Sequence, residues 1–242
     1  MSIHAILFDK DGTLLNYQAF WFPVAQATVD LILKQTGGDP AWSGDLLRSI
    51  GADQGVTGCL CCGTNEQIGQ AIGDALAAHG IHCPDPVGLT MAAIHDSLSA
   101  GHLLPVCDNL PGVLDDLHRR GYRLAVVTAD DPYTTGKCLE RLGIADRFDR
   151  ICTDDGIHPS KPDPYYVTAL CREFGLTPDE LVMVGDTMND VRFARNGGIA
   201  VIGVAADEQG RQVLQGQADL VVHDVSDLAD ALEQWNETEA LP

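Results

Sequence analysis

Short, nearly continuous apolar runs recur along the chain and are separated by longer stretches in which polar and apolar residues mix. Runs of this length and composition are typical of strands that are buried on both faces of a parallel sheet. They predict strands at Ile3–Phe8, Arg123–Thr128, Phe148–Thr153, Leu181–Gly185, Ile199–Val204 and Leu220–His223.

The stretches between the later strands have the spacing and the end signals of helices. Their apolar positions recur every three or four residues, and several of them end at a glycine. They predict helices at Pro111–Arg120, Tyr133–Leu142, Pro164–Phe174, Met188–Asn196 and Val225–Trp235. Strands that alternate with helices predict an α/β protein with a Rossmann-like parallel sheet core and helices on both faces. The tail that begins at Asn236 is expected to fray.

The region between the first strand and residue 100 has helical patterns and no strand pattern. It predicts helices at Ala19–Lys34, Trp42–Ile50, Glu66–His79 and Val87–Leu98, with Gly58–Asn65 as the least helix-like segment. Because the first strand belongs to the sheet, this helical region is an insertion. The sequence therefore predicts a Rossmann-like core domain formed by residues 1–15 and 101–242, and an inserted all-helical domain formed by residues 16–100.

The composition and net charge of the chain limit the kinds of partner that it can bind. The chain has 242 residues and a net charge of −20, from 35 acidic and 15 basic residues. We expect neither nucleic acid nor an anionic membrane as a partner, since both need a basic protein surface. We expect a cytoplasmic protein, because no secretory signal and no apolar run of membrane-spanning length is visible.

The eight cysteines are scattered along the chain, which favours reduced thiols. One cluster could in principle hold a zinc ion. It consists of Cys59, Cys61 and Cys62, with His82 and Cys83 further on. It lacks a Cys-x-x-Cys pair, so small buried hydrophobic residues are the favoured interpretation, and the role of the cluster stays open.

Two carboxylates leave the first strand at its carboxyl end. Asp9 and Asp11 are two positions apart and should point to the same side, while Gly12 lets the backbone turn closely around a ligand. Like charges this close call for a shared proton or a cation between them. A solvated acidic turn is the alternative, because Asp and Gly are ordinary turn residues.

Further polar residues follow the other strands. Thr128 ends one strand, Lys161 follows another through a loop, and Asp186 ends a third, with Asp190 four residues later. In a parallel sheet these ends meet at one edge, where ligands bind. Taken singly, the threonine could cap a helix, the lysine could lie on the surface, and the two aspartates could serve a helix start. Together they suit Mg²⁺ and the transfer of a phosphoryl group to a carboxylate.

These residues resemble the motifs of the haloacid dehalogenase-like hydrolase superfamily. Asp9-Lys-Asp-Gly-Thr-Leu resembles its first motif, the strand ending in Thr128 its second, Lys161-Pro-Asp-Pro its third and Gly185-Asp186-x-x-x-Asp190 its fourth. Asn109-Leu-Pro-Gly-Val-Leu and the helical insertion further resemble the phosphoglycolate phosphatase-like branch.

The resemblance implies roles for the four aspartates. Asp9 would be the nucleophile that forms an aspartyl-phosphate, and Asp11 would protonate the leaving group and then deprotonate water. Asp9, Asp186 and the main-chain carbonyl of Asp11 would bind Mg²⁺, and Asp190 would support the metal site. The dehalogenases proper typically lack the second aspartate, so Asp11 points to phosphate chemistry.

The resemblance also implies a phosphate site. Thr128 and the Ala129 amide would hold phosphate oxygens, and Lys161 would anchor the phosphate and the nucleophile together. The branch usually has Asn after the threonine, whereas this chain has Ala129, Asp130 and Asp131, which puts side-chain contacts at this place in doubt. In the cap, Thr64 and Asn65 are candidates to reach the substrate, although Thr64 could instead cap a helix with Gln67 three residues later.

The function expected from the resemblance is a Mg²⁺-dependent phosphatase that acts on a small phosphorylated metabolite, with phosphoglycolate as the leading candidate. A sugar-phosphate phosphomutase would share every core residue. A phospho-receiver module is usually shorter and lacks an inserted cap, and a non-catalytic binding protein would not need the intact set of polar residues. The oligomeric state stays open.

Overall fold

The structure, a computed structural model, describes residues 2–54 and 58–239. Its sheet has six strands, all parallel to their neighbours, in the order β3-β2-β1-β4-β5-β6. The predicted α/β fold with a parallel sheet is therefore confirmed. The strands are β1 (Ala5–Phe8), β2 (Arg123–Val127), β3 (Arg150–Cys152), β4 (Leu181–Gly185), β5 (Ala200–Val204) and β6 (Leu220–Val222).

Helices connect these strands and also form the inserted region. The helices of the insertion are α1 (Tyr17–Thr36), α2 (Ser43–Ser49), α3 (Cys59–Cys62), α4 (Asn65–Ala78) and α5 (Pro86–Ser97). Those that follow are α6 (Leu110–Arg119), α7 (Pro132–Leu142), α8 (Tyr165–Phe174), α9 (Met188–Gly197), α10 (Glu208–Leu214) and α11 (Leu228–Glu239).

The sheet is buried on both faces, which explains why its strands are nearly continuously apolar. Ile6 and Phe8 of β1 pack with leucines of α6 and α11 on one face. Leu7 packs on the other face with residues of α8 and α9 such as Tyr166 and Phe193. Alternate residues of the same short strand thus enter two separate hydrophobic cores.

The chain divides into two compact units. The core unit comprises Met1–Asn16, Pro105–Thr128 and Thr135–Pro242. The helical unit comprises Tyr17–Leu104 and, in addition, Ala129–Thr134. This division differs from the predicted ranges at residues 16, 101–104 and 129–134, because the short segment after β2 packs with helices that are distant in sequence.

One local expectation differs from the structure. The expected fraying from Asn236 is wrong for the described residues, since α11 continues to Glu239. Asn236 explains the difference, because its side chain accepts a hydrogen bond from the Ile3 amide at 3.0 Å. Gly58–Asn65, the segment expected to be least helical, contains α3, which is a single turn and the shortest α-helix of the described residues.

The cysteines whose side chains are described form no disulfide, and the Cys62 side chain lies outside the described part. Within the described residues, the cysteines and histidine near Cys59 do not bring three potential ligand atoms close enough together to hold one metal ion. None of the helices within residues 2–54 and 58–239 is long and apolar enough to cross a membrane.

Candidate active site

The register of the sheet aligns the carboxyl ends of the three central strands. Phe8 of β1 lies opposite Val126 of β2 and Val184 of β4. The Asp9 amide then donates a hydrogen bond to the Val184 carbonyl at 2.8 Å, and Thr128 follows two residues after Val126. The parallel register therefore places the first residues after each strand at one edge of the sheet.

The turn after β1 closes tightly around Gly12. Its φ of +80° lies in the left-handed region, and its amide donates to the Leu15 carbonyl at 2.8 Å. A Cβ atom at this position would lie 2.0 Å from Oδ2 of Asp186. Glycine is thus required twice here, by the backbone conformation and by the close approach of the Asp186 carboxylate.

Lys161 joins two of the carboxylates. Its Nζ lies 2.6 Å from Oδ1 of Asp9 and 2.7 Å from Oδ1 of Asp190, and all three side chains are buried. The ammonium group therefore donates to both carboxylates in surroundings that exclude water, where charge-assisted hydrogen bonds are strong.

Asp190 also fixes the start of α9. Its Oδ2 accepts hydrogen bonds from the Thr187 amide at 3.0 Å and the Thr187 hydroxyl at 2.6 Å, while the same hydroxyl faces the Asp190 amide in a capping box. Because both carboxylate oxygens already have partners in the protein, Asp190 is suited to hold Lys161 in place.

Asp11 lies beside a second buried lysine. The Lys10 side chain is fully buried, and its Nζ lies 2.6 Å from Oδ2 of Asp11. The Asp11 side chain keeps 13% of its surface exposed. The carboxyl group is therefore held at one oxygen while part of it remains open to solvent.

Crowding of buried carboxylates changes their acidity. Burial raises the pKa of Asp9 to about 7, and the negative charges of Asp190 and Asp11 add to this effect while Lys161 opposes it. Removal from solvent, and then the charges of Asp9 and Asp190, raise the pKa of Asp186 well above its usual range, although the residue keeps some exposed surface. Burial lowers the pKa of Lys161, but its two carboxylate partners outweigh burial and raise it.

The same residues form the group of potential metal ligands that the described part of the chain contains. One carboxylate oxygen from each of Asp9, Asp186 and Asp190 lies within 4.8 Å of the others. Three carboxylates share the charge of a single ammonium group, so a cation would relieve the repulsion between them. Hard oxygen ligands of this kind fit Mg²⁺.

Sequence reasoning missed three supporting residues. The Thr13 hydroxyl donates to Oδ1 of Asp186 at 3.3 Å, Thr187 holds Asp190, and Lys10 contacts Asp11. A signal existed for Thr187, because Thr-x-x-Asp before a helix is a capping pattern. Lys10 and Thr13 lie inside the first motif. Their roles follow from contacts with Asp11 and Asp186 that form only in the folded protein, so no sequence pattern marks them.

The remaining predicted residues lie at the end of β2, in the segment that follows it, and at the start of α4. Thr128 is buried at the end of β2, and its amide donates to the Cys152 carbonyl at 3.0 Å. Ala129 is the first residue of the segment that packs with the helical unit. Thr64 is the N-cap of α4 and forms a capping box with Gln67, while Asn65 is the first residue of that helix. The alternative role for Thr64 is thus the one that the structure displays.

The chain is similar to proteins that are named as phosphatases. Pyrophosphatase PpaX from Bacillus velezensis is 31% identical over 147 residues, which cover 60% of this chain and 67% of that protein. A phosphoglycolate phosphatase from Pseudomonas putida is 28% identical over 231 residues, covering 91% of this chain and 76% of the relative. The crystal structure of a predicted phosphoglycolate phosphatase from Haemophilus somnus 129pt has a TM-score of 0.72 at 23% identity, over 96% of this chain and 98% of that one.

The match to a family model is longer than half of the chain. The model of the haloacid dehalogenase-like hydrolases covers residues 3–198, a range that contains all four motifs and the inserted helices. The structural similarity independently shows the same fold. The chain belongs to the haloacid dehalogenase-like hydrolase family.

Proposed function

We propose that this protein is a Mg²⁺-dependent phosphatase that hydrolyses a small organic phosphomonoester through an aspartyl-phosphate intermediate on Asp9. The observation that carries the proposal is the buried contact of Lys161 with both Asp9 and Asp190 beside Asp186. A lysine held in this way can neutralise charge on both the attacking carboxylate and the incoming phosphate.

In the first step, Asp9 attacks phosphorus. Lys161 binds Oδ1, so we assign the attack to Oδ2. The bond from phosphorus to the ester oxygen breaks, and Asp11 gives that oxygen a proton. Thr128 and the Ala129 amide are proposed to hold the oxygens of the transferred phosphoryl group.

In the second step, water attacks the phosphorus of the aspartyl-phosphate. Asp11, now ionised, accepts the proton of that water, and the bond between phosphorus and the Asp9 oxygen breaks. Orthophosphate leaves, and both carboxyl groups return to their starting states. The partial exposure of Asp11 suits a group that must exchange protons with substrate and water.

The residues present fit a divalent cation. Asp9, Asp186 and the Asp11 main-chain carbonyl are the proposed ligands, with Asp190 supporting the site through Lys161. When bound, Mg²⁺ would lower the charge repulsion between the carboxylates and the phosphate. The Thr13 hydroxyl donates a hydrogen bond to the Asp186 carboxylate, and the missing side chain of Gly12 leaves room for it.

Relatives suggest which substrates to test first. Phosphoglycolate is the leading candidate, because relatives that match nearly the full length of this chain carry the name phosphoglycolate phosphatase. Pyrophosphate is the second candidate, since a relative with 31% identity carries the name Pyrophosphatase PpaX. The helical unit is proposed to act as a cap that selects the leaving group, with Thr64 and Asn65 as candidate contacts.

A panel of phosphomonoesters and pyrophosphate, assayed with and without Mg²⁺, tests the proposal. We expect Mg²⁺-dependent release of orthophosphate by the wild-type protein and a loss of several orders of magnitude for Asp9→Asn. Asp74→Asn, which alters an exposed carboxylate of α4, is the matched control and should keep wild-type turnover. Retained turnover in Asp9→Asn would remove Asp9 from the role of nucleophile.

A further inference from the structure

The segment after the proposed phosphate-binding threonine has packing partners outside the core. Residues Ala129–Thr134 group with the helical unit, whereas Thr128 before them and Thr135 after them group with the core unit. The main chain that continues from Thr128 therefore packs with the insertion over these six residues.

One of these side chains is His95 of α5. Its Nε2 lies 3.1 Å from Oδ1 of Asp131, and its ring packs on the Tyr133 ring with centroids 4.6 Å apart. An ionised carboxylate can only accept, so His95 donates this hydrogen bond from Nε2. The Asp131 side chain is 15% exposed and the His95 side chain 33%, so solvent reaches the contact from the side of His95.

The same Asp131 oxygen also holds the start of α7. Oδ1 accepts hydrogen bonds from the amides of Tyr133 at 2.9 Å and Thr134 at 3.0 Å. One atom thus joins α5 to the first turn of α7, and only Ala129 and Asp130 separate it in sequence from Thr128.

We propose that His95 is a positioning residue for phosphate binding, an inference that rests on the proposed function of the site. By holding Asp131, His95 restricts the path of the main chain through Ala129, whose amide is assigned to the phosphate. A donor placed correctly before binding lowers the cost of ordering it around the ligand. The effect concerns phosphate affinity, while the chemistry at Asp9 is left to other residues.

His95→Ala, His95→Gln and wild-type protein provide the test. We expect His95→Ala to raise both KM for the best ester and the Kd of inorganic phosphate by about fivefold, consistent with loss of one charge-assisted hydrogen bond. Turnover at saturation should stay within about twofold. His95→Gln should recover most of the affinity, because its side-chain amide can also donate to Asp131.

A second histidine of the helical unit supplies the matched control. His79 lies with Nε2 3.0 Å from Oδ2 of Asp45 and stacks on Trp42 at 4.3 Å, yet neither partner belongs to Ala129–Thr134. His79→Ala should lower Tm by an amount similar to that of His95→Ala and leave phosphate affinity unchanged.

Calorimetric titration with inorganic phosphate in the presence of Mg²⁺ makes the readout independent of turnover. The inference is overturned if His95→Ala binds phosphate like the wild type, or if His79→Ala weakens binding equally. Wild-type protein that binds phosphate but hydrolyses no ester would refute the proposed function while the comparison of the variants still decides the role of His95. Wild-type protein that binds no phosphate would overturn both.

Discussion

The ammonium group of Lys161 lies 2.6 Å from the carboxylate of Asp9, and this pair is buried. The same ammonium group lies 2.7 Å from Asp190. A single cation therefore holds two carboxylates at the edge of the sheet. Removing it would leave two buried negative charges without their partner, which is more costly than removing an exposed ion pair.

Substitution of Lys161 should affect stability and activity together. We expect Lys161→Met to lower the free energy of unfolding by about 3 kcal/mol at pH 8 and to reduce turnover by about three orders of magnitude or more. Urea denaturation and the ester assay measure the two effects. Lys137→Met is the control, because Lys137 forms an exposed pair with Glu140 and should change stability by less than about 1 kcal/mol.

The raised pKa of Asp9 predicts a dependence of stability on pH. In protein freed of divalent cations, the folded state keeps a proton up to a pKa of about 7, whereas the unfolded carboxyl releases it near its ordinary value of 3.8. The folded state therefore binds more protons within this window, and wild-type stability falls as the pH rises through it.

Asp9→Asn lacks this titration. We expect its unfolding free energy to exceed that of the wild type by an amount that grows between pH 4 and pH 8, on the order of 3 kcal/mol at the upper end. Denaturation curves in EDTA measure the difference, and addition of Mg²⁺ should reduce it by stabilising the ionised wild-type carboxylate. If the unfolding free energies of the two proteins changed with pH in parallel, the raised pKa of the buried Asp9 carboxyl would be contradicted.

Gly12 should tolerate no side chain. Gly12→Ala places a Cβ atom at φ +80° and 2.0 Å from Oδ2 of Asp186, so the Asp186 carboxylate must move. We expect half-saturation with Mg²⁺ to require at least about tenfold more metal, in addition to a loss of stability. Gly143→Ala is the control, because Gly143 also has a positive φ of +67° but has no heavy atom within 4 Å of its Cβ position. It should lose about 1 kcal/mol of stability and keep its metal dependence.

The Thr13 hydroxyl should tune the metal site without taking part in bond making. Thr13→Val keeps the buried shape and removes the donor to Asp186, so we expect severalfold weaker activation by Mg²⁺ with saturating turnover nearly unchanged. Thr36→Val, which removes a hydroxyl bonded to its own helix at Ile32, should leave activation as in the wild type. Equal activation curves for all three proteins would show that the Thr13 contact is immaterial.

Asn65 tests the proposed contribution of the helical unit to substrate binding. If Asn65 contacts the leaving group, Asn65→Ala should raise KM severalfold for some esters and less for others. Gln70→Ala, which alters an exposed residue of the same helix, should leave every KM unchanged. Catalytic efficiency equal to wild type toward all accepted esters would end the assignment of Asn65.

The sequence predicted which residues gather, because that follows from the topology of a parallel sheet. Once the apolar runs at Ile3, Arg123 and Leu181 are identified as neighbouring strands, the residues after them must share one edge. The resemblance to the family also predicted that Lys161 anchors Asp9, and the two side chains are in contact. The contact of Lys161 with Asp190 was not predicted. Whether Asp190 bonds to a metal or to Lys161 depends on small differences in distance, which no spacing in the sequence encodes.

Long-range contacts account for the other differences. The segment Ala129–Thr134 packs with helices that lie far before it in the sequence, as the pair of His95 with Asp131 illustrates. Likewise, Asn236 extends the last helix through a bond to Ile3 at the other end of the chain. Local patterns in the sequence carry no information about such distant partners.

The discontinuous makeup of the helical unit limits how this protein can be recombined with its relatives. An exchange of Tyr17–Leu104 alone would import a new α5 and leave Asp131 facing an unrelated surface, so a chimaera must carry Ala129–Thr134 as part of the same graft. If the helical unit selects the substrate, an exchange of substrate selectivity between homologues would then require two separate stretches of the gene, one of them only six codons long.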